Sequence, residues 1–203
     1  MTPFVGRTRE LGRLRRLLDE RRNIVLTGPF GAGRTSLVRY LADTTSGTYH
    51  FVLLPCGQSR RRMRKAIVDV AAGVRLRVVV VLDDVARVTP QKLRWLRDLV
   101  QHDVGQFIVI VERFVDQLEV SRLRAGLNAA AIMRLGPLSR AAAEQYVAEY
   151  TRGLGLDWSS HEIRAFARAT HGLPLGIRLG LDSVAGTATE DCRRASSAPR
   201  RRA

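Results

Sequence analysis

The chain has 203 residues, 45% of them hydrophobic and 26% charged, which is enough for one solid core and a small second subdomain. Apolar runs such as Val78–Leu82 are far too short to span a membrane, and Met1-Thr2-Pro3-Phe4 opens no apolar signal core. The formal net charge is +15, and every basic residue except Lys65 and Lys92 is an arginine. This balance points either to a polyanion such as nucleic acid or to arginine-decorated solvated faces. Cys56 and Cys192 have no metal-ligand spacing and read as free thiols of a reducing cytoplasm.

Taken in order, Pro3-Phe4-Val5-Gly6-Arg7 leads into a predicted helix with Leu11, Leu14, Leu17 and Leu18 on one face. A short strand over about 23–27 then stops at Gly28-Pro29-Phe30-Gly31-Ala32-Gly33-Arg34-Thr35-Ser36. A helical pattern with Leu37, Val38 and Leu41 follows and ends near Asp43. Strand, glycine-rich loop and helix is the order of a phosphate-binding loop, and the spacing fits G-x-x-x-x-G-K-[ST] except at the lysine, where Arg34 stands. Glycines let backbone N–H groups turn toward an anion, and the helix N-terminus adds partial positive charge. The Thr35 hydroxyl suits Mg²⁺. Arg34 can meet phosphate oxygens, but its broad planar fork differs from a lysine point charge at a transferring phosphoryl group. The plain alternative is a glycine-rich turn ahead of a core helix.

A second strand fits Tyr49–Leu54. The next helix carries Met63, Ile67, Val70 and Ala71 on its apolar face and opens with Arg60, Arg61, Arg62, Arg64 and Lys65. Cations at a helix N-terminus oppose the dipole, so the cluster reads as phosphate contacts, a surface for an acidic partner, or a solvated basic face. Val78–Leu82 followed by Asp83-Asp84 reads as a strand buried on both faces of a parallel sheet and ending in two acids, at the strand end where such sheets hold ligands. Asp83 is placed to hold Mg²⁺ and Asp84 to activate water, with one methylene less reach than a glutamate; a helix-capping pair is the alternative. Thr89-Pro90 starts a helix with Leu93, Leu96, Leu99 and Val100 inward, and Phe107–Val111 is a strand ending at Glu112-Arg113. A helix around 115–127 with Arg122 and Arg124 precedes a last strand, Ala131–Leu135.

Gly136-Pro137-Leu138-Ser139 marks a boundary. Beyond it, helices are predicted over about 140–151, from the capping box Ser159-x-x-Glu162 to His171-Gly172, and from Pro174 onward. From Gly186 the chain lacks large apolar residues, sets five arginines against Glu190 and Asp191, and reads as a disordered basic tail.

Four stretches together resemble P-loop ATPases of the AAA+/STAND group: Phe4-Val5-Gly6-Arg7-x-x-Glu10-Leu11, the loop Gly28–Ser36, Val78–Asp84, and Gly172-Leu173-Pro174-Leu175. The resemblance covers about residues 3–182. It implies an α/β fold with a five-stranded parallel sheet sandwiched by helices, in strand order 5-1-4-3-2, plus a small C-terminal helical lid. The divisions would be a nucleotide-binding core over 1–136, a lid over 137–185 and the tail over 186–203. It implies ATP or ADP with Mg²⁺. Val5 and Gly6 would lie against the adenine with Pro174 nearby. Gly28, Pro29, Phe30, Gly31, Ala32, Gly33, Arg34, Thr35 and Ser36 would surround the phosphates, and Arg178 would contact them from the lid. Thr35 and Asp83 would hold the metal, Asp84 would act on water, and Arg113 would sense the γ-phosphate. In an assembled ring, Arg124 would be the finger toward a neighbour's nucleotide.

The function implied is a nucleotide-dependent switch for a protein partner, with hydrolysis slow or absent because of Arg34, and with nucleotide-dependent oligomerisation. The alternative is a DNA-associated AAA+ ATPase that assists transposition or replication, with Arg60–Lys65 on DNA phosphates. The stretch from Asp83 through Leu93-Arg94-Trp95-Leu96-Arg97-Asp98-Leu99 also looks like that group.

Overall fold

The computed structural model describes residues 4–55, 60–111, 116–128 and 130–196. The chain forms two compact units, one over Arg7–Gly136 and one made of the residues up to Gly6 together with those from Pro137 onward.

The first unit alternates strand and helix: α1 (Thr8–Asp19), β1 (Ile24–Thr27), α2 (Arg34–Thr44), β2 (Tyr49–Pro55), α3 (Arg60–Gly73), β3 (Arg77–Val85), α4 (Pro90–Gln101), β4 (Gln106–Val111), α5 (Gln117–Gly126) and β5 (Ala131–Arg134). Strand–helix alternation gives a parallel sheet, because parallel neighbours need crossovers. All four strand pairings are parallel, in the order β2-β3-β4-β1-β5. This is the order 5-1-4-3-2 that the family resemblance implies. β1 therefore lies between β4 and β5, and β4 separates it from β3.

Strand side chains alternate between the two faces of a sheet. Val25, Val80, Leu82, Phe107 and Val109 pack with Met63 and Ile67 of α3, Leu96 and Leu99 of α4, and Leu123 of α5. The alternate positions Ile24, Leu26, Val79, Val81, Ile108 and Ile110 are equally buried, so both faces are covered. α1 and α2, which contact each other, supply the buried Leu14, Leu18, Leu37 and Leu41. The unbroken β-branched run of β3 is what a strand with no wet face requires. Thr89 caps α4 by accepting the Lys92 N–H at 3.2 Å, with Pro90 in the first turn.

The second unit holds α6 (Arg140–Gly153), α7 (Ser160–Ala169) and α8 (Pro174–Ser196). Its core is Val5, Leu138, Ala142, Ala143, Tyr146, Val147, Ala167, Ile177 and Leu181. Trp158 meets Phe166 edge-on at 5.2 Å, and Tyr146 stacks on Tyr150 at 6.0 Å. The Ser159–Glu162 capping box forms at the head of α7.

Two boundaries differ from those expected of the sequence. Phe4–Gly6 join the helical unit, because Val5 is buried among its helices and Gly6, at φ 70°, sits where a Cβ would overlap that of Ala142. α8 continues past Gly186 to Ser196; alanine, glutamate and arginine carry helix propensity, and no proline intervenes before Pro199. Among the described residues, no helix is long and apolar enough to cross a membrane.

Candidate functional site

The loop between β1 and α2 is shaped by its glycines. Gly31 and Gly33 have φ of 81° and 86°, in the left-handed region that other residues enter only at a cost. Gly28 is forced for a different reason: a Cβ there would overlap the Leu135 carbonyl oxygen, where the chain leaves β5. Leu135 also donates its N–H to the Thr27 carbonyl at 2.7 Å. Ala32 donates its N–H to the Pro29 carbonyl at 3.2 Å, which tightens the turn, and its own side chain is buried. Phe30 stands at the tip of the loop, 69% exposed. Ser36, in the first turn of α2, is exposed. Left-handed glycines ahead of a helix N-terminus make a concavity of backbone N–H groups suited to an anion.

Thr35 and Asp83 come together. The Thr35 hydroxyl donates to Asp83 Oδ1 at 3.2 Å. The two residues stand 48 positions apart in sequence, on α2 and β3. A hydroxyl and a carboxylate side by side are hard oxygen donors of the kind Mg²⁺ takes, beside a concavity fit for the phosphates that would complete its shell. The donor set therefore fits Mg²⁺.

Asp84 takes a different direction. β3 and β4 pair Leu82 with Val109 and then Val85 with Val111, so β3 carries one extra residue there. Asp84 is at φ 57° in this bulge, and its side chain is exposed. Its N–H donates to Asp83 Oδ1 at 3.0 Å. The bulge thus fixes the Asp83 carboxylate from the following residue while turning the Asp84 side chain outward, a use bulges often have at strand ends.

Arg34 is buried, at 9% exposure. Its guanidinium donates to the Gly28 carbonyl at 3.0 Å and, through a short bond, to the Val111 carbonyl at the end of β4. Where a lysine would extend a point charge, this arginine spans the start of the loop and the neighbouring strand.

The remaining expected residues divide between the units. Val5, Gly6, Pro174 and Arg178 belong to the helical unit. There Gly172, at φ 67°, packs against Leu138, whose N–H bonds to the Gly172 carbonyl at 2.8 Å. Arg178 is exposed, and its charge acts on Tyr146 and Tyr150. Arg113 lies outside the described residues, as does Cys56. Arg61, Arg62, Arg64 and Lys65 are exposed on the first turns of α3; the Arg60 side chain lies outside the described part.

One residue the sequence reading left without a role is central to the site. Arg7, 5% exposed, donates to Glu10 Oε1 at 2.8 Å, to the Ala32 carbonyl at 3.0 Å and to the Gly136 carbonyl at 2.7 Å. The available signal was an arginine flanked by Gly6 and a helix start, with a carboxylate three residues on.

The fold, an all-parallel five-stranded sheet flanked by helices, is that of RuvB. Among its structural neighbours are solved structures of RuvB from Thermotoga maritima. One, an arginine-to-alanine variant, superposes with a TM-score of 0.64 at 19% sequence identity. Another, described as a Holliday junction branch migration motor, gives 0.62 at 17% identity. Each match covers 87% of this chain and 61% of the RuvB chain, so this chain spans about three-fifths of its neighbours' length. No family model and no curated protein matches the sequence.

Proposed function

We propose that this chain binds ATP or ADP with Mg²⁺ at the β1–α2 loop and works as a nucleotide-dependent switch of the STAND type, with hydrolysis slow or absent. The backbone amides of the Gly31–Gly33 turn and the N-terminus of α2 would receive the phosphates. Thr35 and Asp83 would hold the metal, with the Asp84 amide fixing the Asp83 carboxylate. Bound there, Mg²⁺ would neutralise charge on the phosphate oxygens.

The observation that carries the slow-hydrolysis reading is the pair of bonds from Arg34 to the Gly28 and Val111 carbonyls. Charge directed at main-chain oxygens is not directed at a transferring phosphoryl group, where catalysis is mostly electrostatic. The outward Asp84 side chain supports the same reading. The nucleotide state would then set affinity for a protein partner or for a second copy. Calorimetric titration of ATP and ADP with and without Mg²⁺, followed by phosphate release on the same sample, tests it. Metal-dependent binding without turnover is expected. Absence of binding overturns the reading, and brisk turnover replaces the switch with an ATPase.

A DNA-associated AAA+ ATPase is the second reading, favoured by the exposed Arg61, Arg64 and Lys65 on α3 and by likeness in fold to a branch migration motor. Here duplex DNA affinity should fall steeply with salt. Negligible binding even at low salt removes it.

A further inference from the structure

The chain passes between its two units twice, at Gly6–Arg7 and at Gly136–Pro137. Arg7 stands at the first crossing. Its Nη2 donates to the carbonyl of Gly136, at the second crossing, and to the carbonyl of Ala32, in the candidate phosphate loop. Its Nη1 is held by Glu10 on α1. One buried guanidinium therefore ties both crossings to each other and to the loop.

The geometry matters because a trans peptide holds its C=O and N–H antiparallel. Drawing the Ala32 carbonyl toward Arg7 turns the Gly33 N–H to the opposite side. Gly33 is the residue, at φ 86°, that leads into α2, so its amide belongs to the anion-facing concavity. A buried ion pair is poor value for stability alone, since apolar packing often replaces it without loss. An apolar side chain could not hold the Ala32 or Gly136 carbonyl. A lysine, with one compact ammonium in place of the fork, could not reproduce the three contacts at their separate positions.

We propose that Arg7 is a positioning residue. It presets the Gly33 amide for an anion, and it carries the filling of the loop to the two crossings. This rests on the nucleotide-binding reading above for its second half only, because the first half concerns the ligand-free loop.

The test is amide hydrogen exchange on the full chain, with and without Mg²⁺-ATP, for the parent, Arg7→Met and Arg7→Lys. In ligand-free Arg7→Met, amides over 30–36 should exchange at least about tenfold faster than in the parent, while those of β3 and β4 keep the parent's rates. ATP affinity should fall at least about tenfold. In the parent, ATP should slow exchange at both crossings; in Arg7→Met that response should vanish, and Arg7→Lys should fall between. Unchanged loop exchange and affinity in Arg7→Met would overturn the proposal. If the parent does not bind ATP, the nucleotide reading and the coupling fall together, and ligand-free loop exchange still decides the positioning. Should Arg7→Met fail to fold, Glu10→Gln removes the guanidinium's anionic anchor and should still loosen the loop severalfold; no loosening there overturns the proposal.

Discussion

The guanidinium of Arg34 and the carbonyl of Val111 are hydrogen-bonded across 77 positions of sequence, joining the head of α2 to the end of β4. A lysine at this position would give up the fork that reaches both Val111 and Gly28. Arg34→Lys should therefore raise ATP affinity and bring phosphate release up at least severalfold, measured on the same calorimetric and turnover samples. Arg34→Ala should lower stability by about 1–3 kcal/mol, because it leaves buried carbonyls without their donor. In a chain of this size that is a drop of several degrees in melting temperature, at roughly 2–4 °C per kcal/mol.

Metal dependence should follow Thr35 and Asp83. Asp83→Asn keeps the size and removes the charge; Thr35→Ala removes the hydroxyl. Each should weaken Mg²⁺-dependent ATP binding by about tenfold or more, a change of roughly 1.4 kcal/mol. Titration in EDTA should erase most of the difference between variants and parent. Variants that bind Mg²⁺-ATP like the parent would place the metal elsewhere.

In the helical unit, Gly172→Ala tests the turn ahead of α8. A Cβ there would lie 2.6 Å from the Leu138 carbonyl oxygen, and the residue is at φ 67°. The left-handed conformation alone costs a non-glycine residue roughly 1–2 kcal/mol, and the overlap adds to that. Thermal unfolding should report the loss. Gly136→Ala is the control, since a Cβ there meets nothing within 4 Å.

High pH should destabilise the same unit. Burial, with Tyr150 and then Asp182 adding, pushes the Tyr146 hydroxyl up to about 12 from its ordinary 10.0. Tyr150 is shifted upward too, by burial and by its hydrogen bond to Asp182. A pKa raised by folding favours the protonated form in the folded state, so its contribution is complete below pH 10 and is lost as pH climbs toward about 12. The loss should approach about 1.4 kcal/mol per pH unit within that window. Tyrosinate absorbance should rise late for Tyr146 and together with loss of helix signal in α6. Titration of all tyrosines near 10 with the fold intact would contradict this.

The sequence by itself determined whatever depends on a few neighbouring residues. The turn at Gly28–Ser36, the buried run of β3 and the caps at Thr89 and Ser159 are all local patterns of glycine, branching, capping oxygen and apolar period. The strand order was legible only through resemblance, since nothing in a strand's own residues says which neighbour it will have. Tertiary structure decided which side chains meet. Val111 accepts from Arg34 because β4 lies between β1 and β3, and Thr35 reaches Asp83 because the bulge turns one acid inward and the other out. Arg7 reads in sequence as one of many arginines. It becomes a junction only because β5 returns the chain beside β1, which brings Gly136, 129 positions away, within 2.7 Å of its guanidinium.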